Sequence, residues 1–343
     1  MLKDREGNLI KLRSAANEHR LILGKSGYGK TWCCYRMIEE AVDRKKKCMI
    51  LDYSGSYTEE EQERSKFACQ DQTYIFDGSK SGITYWYEGK DVYTAFEEAL
   101  IKAVPLRGHR QQEMLHKVIR HLKGQEEDLT FASVIHTLDW YVQDMDDDES
   151  RDRGEKLLDN IGQYESIDII FRKRIPDVGE VLEDDKLVTI IQLTELETGT
   201  KKFLTEFLSE MIWQSVKDGT NCADYILYDE FQNVALGKES TLGAMLREGR
   251  KYDLGVWLAT QILSNYEPEQ IDTLQQVDTM LLFKPSERSM KGIAQLLDCD
   301  SWKRWMTELS KLPKGQAILK GSYSINGKRK VLDMPIICVV DSK

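Results

Sequence analysis

The sequence Gly24-Lys25-Ser26-Gly27-Tyr28-Gly29-Lys30-Thr31 reads G-x-x-x-x-G-K-T, which is the pattern of a phosphate-binding P-loop. The apolar run at 20–23 predicts a strand before it, and residues 31–42 contain no Gly or Pro and predict a helix after it. Glycines allow several backbone N–H groups to point at one phosphate chain, beside the positive end of the helix. The stretch predicts a nucleotide-binding α/β unit, although a loop for another anion, or a degenerate P-loop, stays open.

Two residues of this motif carry specific chemistry. The Lys30 amine is expected to reach the β- and γ-phosphates, and the Thr31 hydroxyl to bind Mg²⁺. The predicted ligands are therefore ATP and Mg²⁺.

A carboxylate pair follows a second predicted strand, Ala223-Asp-Tyr-Ile-Leu-Tyr-Asp229-Glu230. An apolar strand that ends in acid is typical of the second nucleotide motif, in which one carboxylate, here Asp229, holds Mg²⁺. Glu230 is then placed to orient the attacking water or to take its proton. The alternative is an ordinary acidic pair at a strand end.

Three polar residues near the next strand complete the candidate site. Gln261 ends that strand, and the carboxyl ends of parallel strands meet at one crevice, so Gln261 is expected beside the γ-phosphate as a sensor. Arg247 and Arg250 are three residues apart at a helix end, and arginine suits the charge of a transferring phosphoryl group, also across a subunit boundary. Gln261 could instead cap a loop, and the arginines could offset the helix dipole.

Composition narrows the class of protein. The chain has 343 residues and a net charge of −10, so it is not coated with basic residues. Its seven cysteines are odd in number and form no C-x-x-C pair, which indicates reduced thiols in the cytoplasm. There is no signal peptide and no apolar run of about 18 residues, so direct membrane insertion is not expected.

The predicted fold class is α/β with a mainly parallel sheet, divided by a helical insertion. Residues 1–90 form the first half of the core, with a lead-in hairpin around Gly7-Asn8, and 187–343 form the second half, closed by a C-terminal hairpin. Between them, 91–186 read as an all-α subdomain. Its predicted helices are 91–104, 107–122, 130–142 and 153–171. The second of these is rich in Lys, Arg and His, which indicates either a solvated face or a nucleic-acid contact.

Several stretches together resemble the HerA/FtsK superfamily of DNA-translocating ATPases, on the HerA side, with the conjugative coupling and secretion ATPases as relatives. They are the P-loop with its strand, the strand end Asp52-Tyr-Ser-Gly-Ser-Tyr57, residues 225–230, residues 246–261 and Leu312-Pro-Lys-Gly-Gln-Ala317. The family has D-x-x-G-E-Y where this chain has Ser56 in place of Glu. The P-loop begins at Gly24, so the N-terminal barrel of HerA is not expected.

The resemblance implies a RecA-like core that closes into a homohexamer and moves double-stranded DNA through its pore, with a partner nuclease or effector. Carried onto this sequence, it makes Lys30 and Thr31 the phosphate and Mg²⁺ ligands, Asp229 and Glu230 the Walker B pair and Gln261 the sensor. Arg250, or else Arg247, would be the trans-acting finger. Two other functions stay open, a nucleotide-dependent switch or scaffold that controls a partner protein, and a secretion or conjugation ATPase.

Overall fold

The computed structural model describes residues 2–12, 16–78, 80, 83–125, 128–173, 186–220, 222–263, 266–326 and 328–340. The chain divides into two compact units. The first comprises Met1–Ile75, Asp185–Ile191 and Ala223–Lys343, and the second comprises Phe76–Asp184 and Gln192–Cys222. The second unit is wider than the insertion predicted at 91–186, the end of which, 174–185, lies outside the described residues.

Strands and helices alternate along most of the described chain. The strands, β1 to β13, are Leu2–Asp4, Leu9–Leu12, Arg20–Leu23, Cys48–Asp52, Thr73–Asp77, Ile83–Tyr87, Ile169–Lys173, Val188–Gln192, Tyr225–Asp229, Gly255–Thr260, Thr279–Phe283, Gln316–Ile325 and Lys328–Val340. The helices, α1 to α11, are Lys30–Asp43, Glu59–Arg64, Val92–Ala103, His109–Gln125, Phe131–Gln143, Asp148–Gly162, Thr198–Lys217, Thr241–Glu248, Pro268–Thr273, Met290–Leu297 and Trp302–Lys311. None of the described helices is both long and apolar enough to span a bilayer.

One large sheet organises the first unit, with the strand order β13-β1-β2-β12-β11-β3-β10-β9-β4-β8-β5. Around its middle, β11, β3, β10, β9 and β4 pair in parallel. All residues of these five strands are buried, which explains their continuous apolar sequences. Their carboxyl ends therefore lie along one edge of the sheet, where the P-loop follows β3.

The rest of this sheet corrects the predicted mainly parallel arrangement. β1, β2, β12 and β13 pair with one another, and β12 with β11, in antiparallel fashion. Hairpins, which need no crossover helix, join β1 to β2 and β12 to β13, whereas the β1–β13, β2–β12 and β11–β12 pairs join segments that are distant in sequence. The hairpin at Gly7-Asn8 and the closing hairpin are confirmed, but the turn residue Gly327 lies outside the described residues.

The sequence predicted an all-α subdomain. The second unit is mainly helical but also contains two strands, β6 and β7. A helix was expected through Phe171, yet α6 ends at Gly162, and β7 follows and pairs in parallel with β6. Phe171 packs with Phe96, Phe131 and Phe207 at ring-centroid distances of 5.1–5.7 Å. The β-branched and aromatic residues of β7 favour a strand, and this aromatic cluster is the packing that sequence periodicity could not reveal.

Candidate functional site

The P-loop lies between β3 and α1, and strand ends fix it from both sides. The Gly24 N–H donates to the Thr260 carbonyl at 3.3 Å, and the Lys25 N–H donates to the Lys284 carbonyl at 3.0 Å. Gly24 is needed for its close approach, since a Cβ there would lie 2.5 Å from the Phe283 Cβ. These contacts attach the first residues of the loop to the carboxyl ends of β10 and β11.

The later residues of the loop turn through conformations that suit only glycine. Gly27 has a φ of +76° and Gly29 a φ of +108°, and Gly29 immediately precedes the first turn of α1. Between them, the Tyr28 ring covers the Lys25 ammonium at 4.6 Å, while the Tyr28 carbonyl accepts from Gly315 N–H at 3.0 Å. The loop thus presents N–H groups at a helix N-terminus, which is a geometry for binding phosphate.

Lys30 is the first residue of α1 and is only 8% exposed. Burial lowers the pKa of its amine, while the nearby Glu230 and Asp229 carboxylates raise it. Three of the predicted residues, Lys30, Asp229 and Glu230, are therefore brought together by the fold. Thr31 follows Lys30 in the same helical turn.

Asp229 ends β9 and is nearly enclosed, with 7% exposure. Burial raises its pKa to about 7, opposed first by the hydroxyl of Ser54, which donates to Asp229 Oδ2. The charges of Asp52 and Glu230 raise it further, and that of Lys30 lowers it. A buried carboxylate with so little compensation for its charge is suited to binding a cation.

Asp52 ends the neighbouring strand β4 and is fully buried. Its carboxylate accepts backbone N–H bonds from Gly55, Ser56 and Tyr57 at 2.8–3.0 Å. Burial raises its pKa to about 6, while these N–H bonds lower it. Asp52 therefore shapes the loop that carries Ser54, a role that the D-x-x-G-x-Y pattern could have suggested.

Glu230 occupies a left-handed conformation, with a φ of 55° and a ψ of 48°, which turns its side chain away from the strand direction. Its two oxygens accept from different amides, Oε1 from Gln261 Nε2 and Oε2 from Gln232 Nε2, each at 2.7 Å. The Gln232 Oε1 in turn accepts from the Thr260 hydroxyl. The predicted Gln261 thus contacts Glu230, but no sequence pattern pointed to Gln232 or Thr260.

The two arginines lie apart from this network. Arg247 is in the last turn of α8, and Arg250 is in the short 3-10 turn Gly249–Tyr252; both are exposed. The Arg247 guanidinium donates to the Lys238 carbonyl at 2.5 Å. Within the described parts of the chain, neither arginine forms an ion pair with Asp229 or Glu230.

The residues present fit Mg²⁺. This ion prefers oxygen ligands and usually takes one or two carboxylates together with waters and substrate phosphates. Thr31 and the nearly enclosed Asp229 offer a hydroxyl and a carboxylate beside the phosphate-binding loop. The described residues contain no cluster of three or more His, Cys, Asp or Glu that could hold a metal ion.

Comparison with known proteins gives consistent likenesses. A family model described as the central domain of the helicase HerA matches residues 4–212. The probable helicase MJ1565 of Methanocaldococcus jannaschii is 21% identical over 347 residues, covering 93% of this chain and 63% of that protein. The chain thus spans less than two thirds of that relative's length.

Solved structures of two proteins resemble most of the chain. VirB4 of Thermoanaerobacter pseudethanolicus has a TM-score of 0.68 at 13% identity, over 97% of this chain and 94% of that chain. The bacterial conjugative coupling protein TrwB has a TM-score of 0.67 at 15% identity, over 95% and 86%. TrwB in complex with ADP and Mg²⁺ has a TM-score of 0.64 at 14% identity, again over 95% and 86%. These likenesses show the fold of the RecA-like P-loop ATPases.

Proposed function

The chain belongs to the family of the central domain of the helicase HerA, and we propose that it hydrolyses ATP to move double-stranded DNA. The observation that carries the proposal is the convergence of Lys30, Asp229 and Glu230, with Gln261 bonded to Glu230, beside a P-loop. A loop that only captured an anion would not need a carboxylate pair and a polar sensor at the ends of the next two strands.

Each residue then has a task in hydrolysis. The N–H groups of residues 26–29 and the Lys30 amine bind the phosphates, while those of Gly24 and Lys25 anchor the loop to β10 and β11. Thr31 and Asp229 hold Mg²⁺. When bound, this ion neutralises charge on the β- and γ-phosphates. Glu230 orients a water molecule for attack on the γ-phosphate and accepts its proton. Gln261 follows β10 and donates a hydrogen bond to Glu230 at 2.7 Å. It therefore connects the residue that orients the attacking water to β10, and it acts as the sensor for loss of the γ-phosphate.

The arginines act across a subunit boundary in this proposal. Both are exposed and lie outside the contacts of the Glu230 carboxylate, and Arg247 would give up its bond to the Lys238 carbonyl to enter a neighbouring subunit's site. A homohexamer would bring Arg250 of one protomer to the nucleotide of the next. Arg250→Ala should abolish hydrolysis and keep nucleotide binding. If Arg247→Ala abolishes it instead, Arg247 is the finger.

The parts of the proposal that concern the DNA substrate and the partner protein are based on the family. The names of relatives, a probable helicase and a conjugative coupling protein, support a motor that acts on DNA. A partner nuclease or effector would then use the movement of the duplex. Secretion or conjugation is the related alternative, and it is distinguished by association with membranes when neighbouring proteins are co-expressed.

The test is steady-state ATP hydrolysis with and without duplex DNA, on a sample sized by mass photometry. Glu230→Gln is the control, since the amide is nearly the same shape but cannot accept the proton. We expect hydrolysis that rises with DNA, tracks the hexamer and is lost in the control. Hydrolysis by the hexamer that is indifferent to DNA would contradict the motor.

A second candidate is a nucleotide-dependent switch or scaffold that controls a partner protein without translocation. The observation in its favour is that both Glu230 oxygens are already bonded to amides, so the carboxylate is restrained before nucleotide arrives. Hydrolysis that DNA does not change, and that appears only when a partner protein is added, would favour this function.

A further inference from the structure

Ser54 reaches Asp229 because two neighbouring strands end at the same level. β4 and β9 pair in parallel with Leu51 opposite Tyr228, so the next residues, Asp52 and Asp229, leave the sheet side by side. Ser54 lies two residues beyond Asp52 and is itself exposed, and its hydroxyl donates to Oδ2 of the nearly buried Asp229.

The loop that carries Ser54 is held in one shape. Asp52 accepts three successive backbone N–H groups, from Gly55 to Tyr57, and the Tyr35 hydroxyl donates to the Ser56 carbonyl at 2.8 Å. The position of Ser54 therefore follows from a buried backbone network and not from a free surface rotamer. Such support is what a group needs if it is to orient another residue.

The hydroxyl groups of Ser56 and Ser54 donate their hydrogen bonds in the same direction, toward Asp229. Ser54 has a single proton, which it gives to Asp229, so the 2.7 Å contact between the Ser54 and Ser56 oxygens requires Ser56 to donate. The order Ser56, Ser54, Asp229 leaves the other oxygen of Asp229 without this hydroxyl. A carboxylate that is held by a hydrogen bond at one oxygen presents its second oxygen in a defined direction. Hydrogen-bond partners of metal ligands orient those ligands in this way.

We propose that Ser54 is a positioning residue for the metal–nucleotide complex, which orients the Asp229 carboxylate by a hydrogen bond and thereby sets the affinity for a divalent cation. This proposal rests on the proposed function, because it requires that Asp229 face a bound nucleotide and its cation. The positioning role falls to Ser54, in the loop after β4. Ser56, which stands where the family pattern has Glu, is connected to Asp229 through its hydrogen bond to Ser54.

The test measures Mn²⁺ binding by electron paramagnetic resonance on the full chain in the presence of ADP. Ser54→Ala should weaken Mn²⁺ binding about tenfold, the usual effect of removing an outer partner of a metal ligand. ADP binding without metal should stay at the wild-type level, and Ser54→Thr, which keeps the hydroxyl, should restore Mn²⁺ binding. Unchanged or tighter Mn²⁺ binding by Ser54→Ala would overturn the proposal, as would failure of Ser54→Thr to restore it.

A matched control separates positioning from loop stability. Thr58 lies in the same segment, where its side chain accepts from the Glu61 N–H at the start of α2, and it does not contact Asp229. Thr58→Ala should lower the melting temperature and leave Mn²⁺ affinity unchanged; weaker Mn²⁺ binding in this variant as well would show a merely structural effect. If the wild-type chain bound neither ADP nor Mn²⁺, the proposed function itself would fail, which is a different outcome from equal binding by wild type and Ser54→Ala.

Discussion

Replacing Asp229 with Asn should stabilise the metal-free protein at pH 8 while removing its cation site. Asp229 is 7% exposed, and its pKa rises from 3.8 to about 7, chiefly through burial. That difference corresponds to roughly 4 kcal/mol against the ionised form. Lys30 loses a neighbouring carboxylate in the variant, which offsets part of the gain, so we expect the free energy of unfolding to increase by about 2–4 kcal/mol.

The sign of the pH dependence follows from the same values. Because the pKa of Asp229 is higher in the folded protein than in the unfolded chain, the folded state takes up a proton as pH falls through about 7, while the unfolded chain stays ionised until about 4. The destabilisation by Asp229 is therefore complete above pH 7 and is relieved as pH falls. At pH 5.5 roughly half of it should remain, so the advantage of Asp229→Asn should shrink by about 2 kcal/mol.

The measurement is urea denaturation in EDTA at pH 8.0 and pH 5.5. The matched control is Asp224→Asn, just before the opposite end of β9, where Asp224 pairs with the Lys46 ammonium at 2.7 Å and accepts the Lys47 N–H at 2.8 Å. Asp224 has compensating partners, so its replacement should destabilise the protein. A variant Asp229→Asn that is less stable than wild type at pH 8, or a stability difference that does not change with pH, would refute the reasoning.

Three further substitutions test the surroundings of the site. Asp52→Ala removes the acceptor of three backbone N–H bonds and should lower the free energy of unfolding by about 3 kcal/mol in denaturant titrations, with Asp52→Asn in between. Gly24→Ala places a methyl group 2.5 Å from the Phe283 Cβ and should weaken binding of a fluorescent ATP analogue about tenfold; normal affinity would show that the loop can shift freely. Gln232→Ala frees one oxygen of Glu230 and should lower kcat about tenfold with KM unchanged, whereas a faster enzyme would show that the amide restrains Glu230.

The sequence was informative where local pattern and chemistry coincide. Apolar runs that end in Gly24, Asp229 and Gln261 predict buried strands followed by polar residues, and the structure has those strands with their ends on one edge of the sheet. The P-loop pattern predicted a helix from Thr31, and α1 begins one residue earlier, at Lys30.

Features that depend on distant pairing could not be predicted in this way. Part of the antiparallel region depends on the pairing of β1 at the N-terminus with β13 near the C-terminus, and the sequence of neither strand identifies its distant partner. The strand at Phe171 is stabilised by aromatic rings from three helices, and this packing could not be seen when the preceding helical pattern was extended to Phe171. The Thr260–Gln232 bond joins side chains whose proximity only the folded sheet creates.

Two of the hydrogen bonds of Thr260 connect different parts of the site. Its carbonyl accepts the Gly24 N–H at the start of the P-loop, while its hydroxyl donates to Gln232, which holds Glu230. One residue at the end of β10 is thus bonded to the first residue of the P-loop and, through Gln232, connected to Glu230. Any displacement of this strand end would therefore act on the start of the P-loop and on the surroundings of Glu230 together.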